Sequence, residues 1–152
     1  MNVVVLGDIN TGKTCFVRHQ CGEYVPTIGV DFVSYRSGKL KIWDTAGQER
    51  FHSIVSQYYR MSDICLIFYS CGDAKTYESV KRWRAEVSLA NPGKIYIVAC
   101  KSDLGRLGEA DFYISNKTGE GLDALHDLLR LSVDNESVPL DLVPAQRNCC
   151  YQ

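Results

Sequence analysis

The sequence lacks any apolar run long enough to cross a membrane, because its longest apolar segments have only the length of strands or amphipathic helices. It also lacks an excess of either charge: the formal net charge is −1, which gives no electrostatic reason to expect nucleic acid as the main partner. Residues 3–6 are too short for the apolar part of a signal peptide and no basic region precedes them, so none is expected. With 152 residues, the chain is expected to form one domain of ordinary size.

No C-x-x-C motif occurs, although the sequence contains seven cysteines. The cysteines are scattered, and the first five lie among apolar neighbours or beside candidate nucleotide loops. This pattern favours reduced thiols in a cytosolic protein over a zinc or disulfide framework. The three histidines are far apart, with no carboxylate at ligand spacing, which argues against a metal site built on them.

The most specific pattern that is present is G-x-x-x-x-G-K-[ST], at residues 7–14. It lies between an apolar run of strand length and a segment of helical periodicity, so successive backbone N–H groups would point into one concavity beside a helix N-terminus. Lys13 would neutralise charge on the outer phosphates, and the Thr14 hydroxyl would bind Mg²⁺. The alternative is a glycine-rich turn in an ordinary α/β domain. The full set of predicted phosphate-binding residues in this loop is Asn10, Thr11, Gly12, Lys13, Thr14 and Cys15.

Apolar periodicity predicts strands that alternate with helices. The predicted strands are residues 3–6, 30–35, 39–43, 64–69, 95–100 and 111–114, with a tight hairpin turn at Ser37 and Gly38. The predicted helices are a short one that ends by residue 22, then residues 50–59, 74–90 and 122–133. This order predicts an α/β fold with a mostly parallel sheet, helices on both faces and one antiparallel hairpin strand. In such sheets ligands bind at the carboxyl ends of the strands.

Further motifs follow the phosphate loop in a fixed order. They are I-G-V-D-F at residues 28–32, K-L-K-I-W at 39–43, W-D-T-A-G-Q-E-R at 43–50, Y-Y-R at 58–60 and Y-E-S-V-K-R-W at 77–83. Together they resemble the small GTPases of the Ras superfamily, and within it the Rab branch. The resemblance covers residues 1 to about 133, which it implies to be a GTP-binding domain with a P-loop NTPase fold of the small G-protein type. Residues 134–152 would form a C-terminal tail.

The resemblance implies two switch segments that respond to the γ-phosphate of GTP. Thr27 would join Thr14 on Mg²⁺, and Asp44 would act on it through a water. The Gly47 amide would sense the γ-phosphate, and Gln48 would orient the attacking water; a solvated residue at a helix start is the alternative for Gln48. Residues 27–32 and 48–60 would then meet exchange factors, activating proteins and effectors.

A third loop resembles the guanine-binding part of these proteins. Asp103 would accept hydrogen bonds from the guanine N1–H and amino group, whereas adenine offers an acceptor at N1, and Lys101 would lie along the ring. Ser115, Asn116 and Lys117 resemble a Ser-Ala-Lys motif in which a backbone N–H reaches the guanine oxygen. Asn116 replaces the alanine, which is expected to be tolerated because the amide does the binding.

Two departures from the family pattern concern the chemistry. Cys100 replaces the asparagine that begins the guanine loop, so a hydrogen bond of about 1–3 kcal/mol would be lost. Nucleotide affinity is therefore expected to be weaker than usual, with guanine preference kept. Ile9 replaces a small residue that faces the γ-phosphate, and it would crowd Gln48 or an incoming arginine finger. Hydrolysis is expected to be slow and resistant to activating proteins.

Two further departures concern segment lengths. The interval from Lys13 to Thr27 is shorter than in relatives, so the first switch loop is clipped. The segment 103–115 has no room for the helix found there in relatives, which would leave one sheet face under-covered. Residues 138–144 could lie over that face, or the tail could be a solvated tether.

Cys149 and Cys150 resemble the double-cysteine endings of the Rab branch, which receive geranylgeranyl chains from the prenyl transferase machinery. Only Arg147 lies nearby as a cation, so both lipids would be needed for stable anchoring. Terminal cysteines by chance are the alternative.

Three functions are compatible with the sequence. The first is a Rab-type GTP/GDP switch on the cytosolic face of endomembranes that regulates vesicle traffic with slow GTP hydrolysis. The second is a degenerate nucleotide-binding scaffold, favoured by Cys100, Ile9 and the clipped loop. The third is a nucleotide kinase with the same phosphate loop, in which Asp103 and residues 44–48 would have no role.

Overall fold

The computed structural model describes residues 1–18, 27–35, 39–47, 52–90 and 93–134. The strands in these residues are β1 (Asn2–Leu6), β2 (Val30–Tyr35), β3 (Leu40–Thr45), β4 (Ile64–Ser70), β5 (Lys94–Cys100) and β6 (Phe112–Ile114). The helices are α1 (Lys13–Arg18), α2 (His52–Tyr59), α3 (Ala74–Ala90) and α4 (Leu122–Asp134), with a 3₁₀ helix at Ser102–Leu104. No helix in this part of the chain combines the length and the apolar character that crossing a membrane requires.

The six strands form one sheet in the order β2-β3-β1-β4-β5-β6. Only β2 and β3 pair antiparallel; the other neighbours are parallel. Every residue of β4 is buried, as expected for a central parallel strand that is covered on both faces. The predicted fold class is therefore confirmed, including the single antiparallel strand at one edge.

Side chains alternate between two cores along the central strands. On one face, α1 and α4 pack against the sheet: Phe16, Leu125 and Leu129 lie in the same cluster as Val3 and Val5. On the other face, α2 and α3 supply Val55, Val80, Trp83 and Val87 against Val4 and Leu6. The helical spacing of α3 left Trp83 and Arg84 as alternatives for one core position, and Trp83 occupies it with 2% of its surface exposed.

The prediction that β3 ends at residue 43 and that Asp44 begins a loop is wrong. The strand continues because Asp44 pairs with Asp31 and Thr45 with Val30 on β2. The Thr45 hydroxyl also donates to the Val5 carbonyl on β1 at 2.6 Å. Asp44 is consequently held by the sheet itself. Several other predicted strand and helix limits are one or two residues off. The predicted tail began at Asp134, which is the last residue of α4. The rest of the tail, the predicted hairpin turn and the predicted end of the first helix lie outside the described residues.

The segment between the 3₁₀ helix and β6 contains no α-helix, as the sequence predicted. Three tyrosines on the neighbouring elements hold this loop instead. Tyr69 donates to the Leu107 carbonyl, Tyr113 donates to the Gly108 carbonyl at 2.5 Å, and Tyr77 accepts the backbone N–H of residue 109 at 3.3 Å. Leu107 and Ala110 pack on the core beneath α3. The loop itself thus covers part of the face that was expected to be under-covered.

Candidate functional site

The loop between β1 and α1 is shaped by two glycines. At Gly7, φ is +131°, and a Cβ atom would lie 2.1 Å from the Phe68 carbonyl oxygen on β4. At Gly12, φ is +100°, and a Cβ atom would lie 3.0 Å from the Cys100 sulfur. Glycine is therefore required at both positions, by backbone conformation and by close approach to neighbouring strands. The predicted phosphate loop leaves the carboxyl end of a central strand and enters a helix, as the motif requires.

Lys13, the first residue of α1, is buried against this loop with 5% of its surface exposed. Its Nζ donates to the carbonyl oxygens of Gly7 at 2.8 Å and Asp8 at 2.6 Å, and to the Thr11 hydroxyl at 3.3 Å. Burial lowers the pKa of Lys13 to about 8, against the opposing effect of Asp44 and Asp8. A buried ammonium that is favoured by nearby negative charge is suited to bind an anion such as phosphate.

Three oxygen-bearing side chains from separate elements meet beside Lys13. The Thr14 hydroxyl is 2.9 Å from the Thr27 hydroxyl and donates to Asp44 Oδ2 at 2.7 Å. Thr27 donates to the same oxygen at 3.1 Å. Thr27 therefore contacts the two residues predicted to share Mg²⁺ with it.

This cluster fits a small divalent cation. Asp44 is 1% exposed, and its Oδ1 has no hydrogen-bond partner within the described part of the chain. Burial raises the pKa of Asp44, while the hydrogen bonds from Thr14 and Thr27 lower it. A buried carboxylate oxygen without a donor, beside two hydroxyl groups, is the kind of oxygen ligand set that Mg²⁺ prefers.

The segment that follows β3 packs directly on the phosphate loop. A Cβ atom on Gly47 would lie 2.4 Å from the carbonyl carbon of Asp8 and 2.5 Å from the Ile9 nitrogen. The Ala46 N–H donates to the Gly29 carbonyl at 2.8 Å, which joins the two predicted switch segments. Gln48, the predicted catalytic residue, lies outside the described residues.

Asp8 is a further residue of this site that was not predicted from the sequence. Its Oδ1 accepts hydrogen bonds from Trp83 Nε1 at 2.8 Å and from Arg82 Nη2 at 3.2 Å, both on α3. The carboxylate therefore fixes the start of the phosphate loop to the helix beside it. No local pattern in the sequence signals this contact, because the partners are far apart along the chain.

The predicted guanine-binding residues come together at the carboxyl ends of β5 and β6. Asp103 is exposed, and its Oδ1 accepts a hydrogen bond from Ser115 Oγ at 2.6 Å. Lys101 has a left-handed backbone with φ of +60°, and its Nζ donates to the Asn10 carbonyl at 2.9 Å. Lys117 is exposed at the same edge. The structure thus joins the predicted guanine loop to the phosphate loop.

Cys100 and Asn116 are in contact at the back of this site. Cys100 is fully buried, and burial raises the pKa of its thiol, which therefore stays protonated. The Asn116 amide nitrogen lies 3.7 Å from the Cys100 sulfur and 3.2 Å from the Gly12 carbonyl oxygen, to which it donates. Asn116 was expected only to be a tolerated replacement for alanine, and its contact with Cys100 was not predicted. The remaining predicted site residues, Cys149 and Cys150, lie outside the described residues.

Comparison with known proteins adds the family to this geometry. The Ras family model matches residues 2–129. The Ypt/Rab-type GTPase ypt71 of Schizosaccharomyces pombe is 43% identical over 97 residues, which cover 57% of this chain and 47% of that protein. Rab-1C of Dictyostelium discoideum is 35% identical over 136 residues, covering 81% of this chain and 68% of its own length. Rab-19 of Mus musculus is 39% identical over 115 residues, which cover 67% of this chain and 53% of that protein.

The chain spans about half to two thirds of the length of these relatives. The family match nevertheless covers both the phosphate loop and the guanine loop described above. By sequence and by the arrangement of its loops, the chain belongs to the Ras family of small GTPases, on the Rab branch.

Proposed function

We propose that this chain is a Rab-type GTP/GDP switch that hydrolyses GTP slowly and regulates vesicle-mediated membrane traffic. The observation that carries the proposal is the contact of Thr14, Thr27 and Asp44, since it joins the phosphate loop to both predicted switch segments. Loss of a phosphate at this point would alter the contacts of all three segments at once. The names of the relatives, which are Rab and Ypt/Rab-type GTPases, support the same conclusion.

In this proposal the phosphates lie against the loop N–H groups and Lys13 Nζ. Thr14, Thr27 and Asp44 would hold Mg²⁺, which when bound neutralises charge on the β- and γ-phosphate oxygens. Gly47, already packed on Asp8 and Ile9, would place its N–H near the γ-phosphate. Gln48 would orient the attacking water. Loss of the γ-phosphate would release Thr27 and Gly47, which changes the surface that partners meet.

The surface for those partners would be formed by residues 27–32 and 48–60. Within it, Phe32 is 52% exposed and its ring lies 5.1 Å from that of Trp43, which in turn lies 4.9 Å from Tyr58. An exposed aromatic ring beside two partly buried ones suits binding to exchange factors, activating proteins and effectors. Residues 1–133 would form the GTP-binding domain, and the tail would carry lipids on Cys149 and Cys150, added by the prenyl transferase machinery. Two lipids would hold the protein on the cytosolic face of endomembranes.

A single-turnover hydrolysis assay with and without Mg²⁺ tests the proposal. We expect the wild-type protein to convert GTP to GDP only with Mg²⁺.

In Thr27→Ala, GTP affinity in Mg²⁺ is expected to fall about tenfold while GDP affinity changes less, because one ligand hydroxyl is lost. Thr27→Ser keeps the hydroxyl and serves as the control. Tight nucleotide binding without hydrolysis would favour the second candidate, a nucleotide-binding scaffold, which is supported by Ile9 at the phosphate loop.

Ile9→Ser is expected to raise the rate of GTP hydrolysis about 3- to 30-fold. Ile9 is 45% exposed, and its backbone nitrogen would lie 2.5 Å from a Cβ atom on Gly47, the residue that precedes Gln48 in the sequence. A smaller residue frees space for the water and for Gln48, and small misplacements there change rates strongly. Single-turnover hydrolysis at saturating GTP measures the change. A rate equal to or below that of the wild type would contradict the crowding argument.

A further inference from the structure

We propose that Asn116 is the positioning residue that joins the guanine loop to the phosphate loop, in place of the side chain at position 100. This inference rests on the proposed nucleotide binding and assigns a role to a residue that is not expected to touch the reacting atoms. The observation is that one carboxamide, on the loop after β6, donates toward both the Gly12 carbonyl and the Cys100 sulfur.

The geometry identifies which end of the carboxamide makes these contacts. The partner at 3.2 Å is the Gly12 carbonyl oxygen, which only accepts hydrogen bonds, so the amide nitrogen and not the oxygen must face it. A protonated thiol at 3.7 Å is a weak acceptor for the second N–H. Both protons of the amide group therefore have acceptors.

The Gly12 carbonyl is a sensitive point of the phosphate loop. It also accepts the N–H of Phe16 at 3.1 Å, which is the first backbone hydrogen bond of α1. A carbonyl oxygen has two lone pairs, so both donors are accommodated. Asn116 thus fixes the carbonyl that ends the phosphate loop and starts the helix behind Lys13 and Thr14. The Lys101 ammonium makes a second link between the loops, to the Asn10 carbonyl at 2.9 Å.

Gly12, Cys100 and Asn116 lie close together at this point. A Cβ atom on Gly12 would lie 3.0 Å from the Cys100 sulfur and 3.3 Å from the Asn116 amide nitrogen, so neither side chain leaves room for a larger residue at position 12. Cys100 is fully buried. The short Cys100 side chain leaves room for Asn116, whereas an asparagine at 100 would compete with it. The small residue at 100 and the amide at 116 are therefore one exchange, in which the carboxamide has moved from one loop to the other.

The exchange alters the effect on nucleotide affinity that is expected from cysteine at position 100. Taken alone, the missing asparagine predicts a lost hydrogen bond; the Asn116 carboxamide supplies a hydrogen bond to the phosphate loop at the Gly12 carbonyl. The Cys100→Asn variant alone is then expected to bind GDP no more tightly than wild type, because two carboxamides crowd one site.

A double-mutant cycle on the full chain tests the inference. The variants are Asn116→Ala, Cys100→Asn and the two combined, with Asn2→Ala on β1 as a control. GDP dissociation constants and dissociation rates are measured in Mg²⁺, and melting temperatures are measured without nucleotide. We expect Asn116→Ala to bind GDP about tenfold more weakly and the double variant to return to within about threefold of wild type. The melting temperatures are expected to follow the same order.

Rescue by the second substitution is the decisive result, because a purely local role for Asn116 would not be restored by a change at position 100. Equal GDP affinity in wild type and Asn116→Ala, or a double variant no better than Asn116→Ala, would overturn the inference. If wild type itself does not bind GDP, the proposed function fails, and the inference is then decided by whether the double variant restores the melting temperature lost in Asn116→Ala.

Discussion

Replacing Asp103 by asparagine is expected to weaken GDP binding by about 10³- to 10⁴-fold and to give measurable binding of xanthosine diphosphate. The carboxylate accepts from two adjacent donors of guanine, N1–H and the exocyclic amine. A carboxamide presents an acceptor to only one of them and sets its own N–H against the other. Xanthine carries a carbonyl oxygen where guanine carries the amine, so the carboxamide matches it.

The fold is expected to tolerate this change. Asp103 is exposed, and its partner Ser115 Oγ, at 2.6 Å, can donate to a carboxamide oxygen as it does to the carboxylate. Competition binding with GDP and xanthosine diphosphate measures the switch, and Asp123→Asn, an exposed acid at the start of α4, controls for the change in charge. An equal loss of both nucleotides would show that Asp103 does not select the base.

The order of the elements could be predicted from the sequence because each central strand is a continuous apolar run. Residues 64–69 and 95–100 have no polar interruption that a helix would need, and the structure buries β4 along its whole length. The helical spacing of α3 likewise predicted its bounds, and Ala74–Ala90 is the helix observed. The end of β3 was missed because Asp44 and Thr45 have the polarity of a loop, while their backbone pairing with β2 depends on distant residues.

The site was predictable where it depends on a local motif and not where it depends on contacts between motifs. The spacing of Gly12, Lys13 and Thr14 defines the phosphate loop by itself. The link from Asn116 to Gly12 joins residues 104 positions apart, and the contact of Asp8 with Trp83 joins residues 75 positions apart. The contact of Thr27 with Thr14 could be expected only from the resemblance, because the length of a loop does not fix where its end packs.

Replacing Lys13 by alanine is expected to weaken the binding of both GDP and GTP, by about 10²- to 10³-fold. The reason is that the substitution removes a buried, charge-assisted contact to the phosphates. Lys13 is 5% exposed, so few other cations can take its place. Its Nζ also donates to the Gly7 and Asp8 carbonyls, which hold the loop around the phosphates.

The thermal stability of the Lys13→Ala variant separates these two roles of the ammonium. Without nucleotide, we expect only a small change in melting temperature, because the lost hydrogen bonds are offset by removal of a charge whose burial lowers its pKa to about 8. The rise in melting temperature that GDP and Mg²⁺ give to the wild type is expected to vanish, since that rise depends on the ratio of ligand concentration to dissociation constant. Lys41→Ala, an exposed lysine on β3, should keep it. An undiminished GDP effect in Lys13→Ala would mean that the phosphates do not lie in the loop after β1, and the roles assigned to Thr14, Thr27 and Asp44 would fail with it.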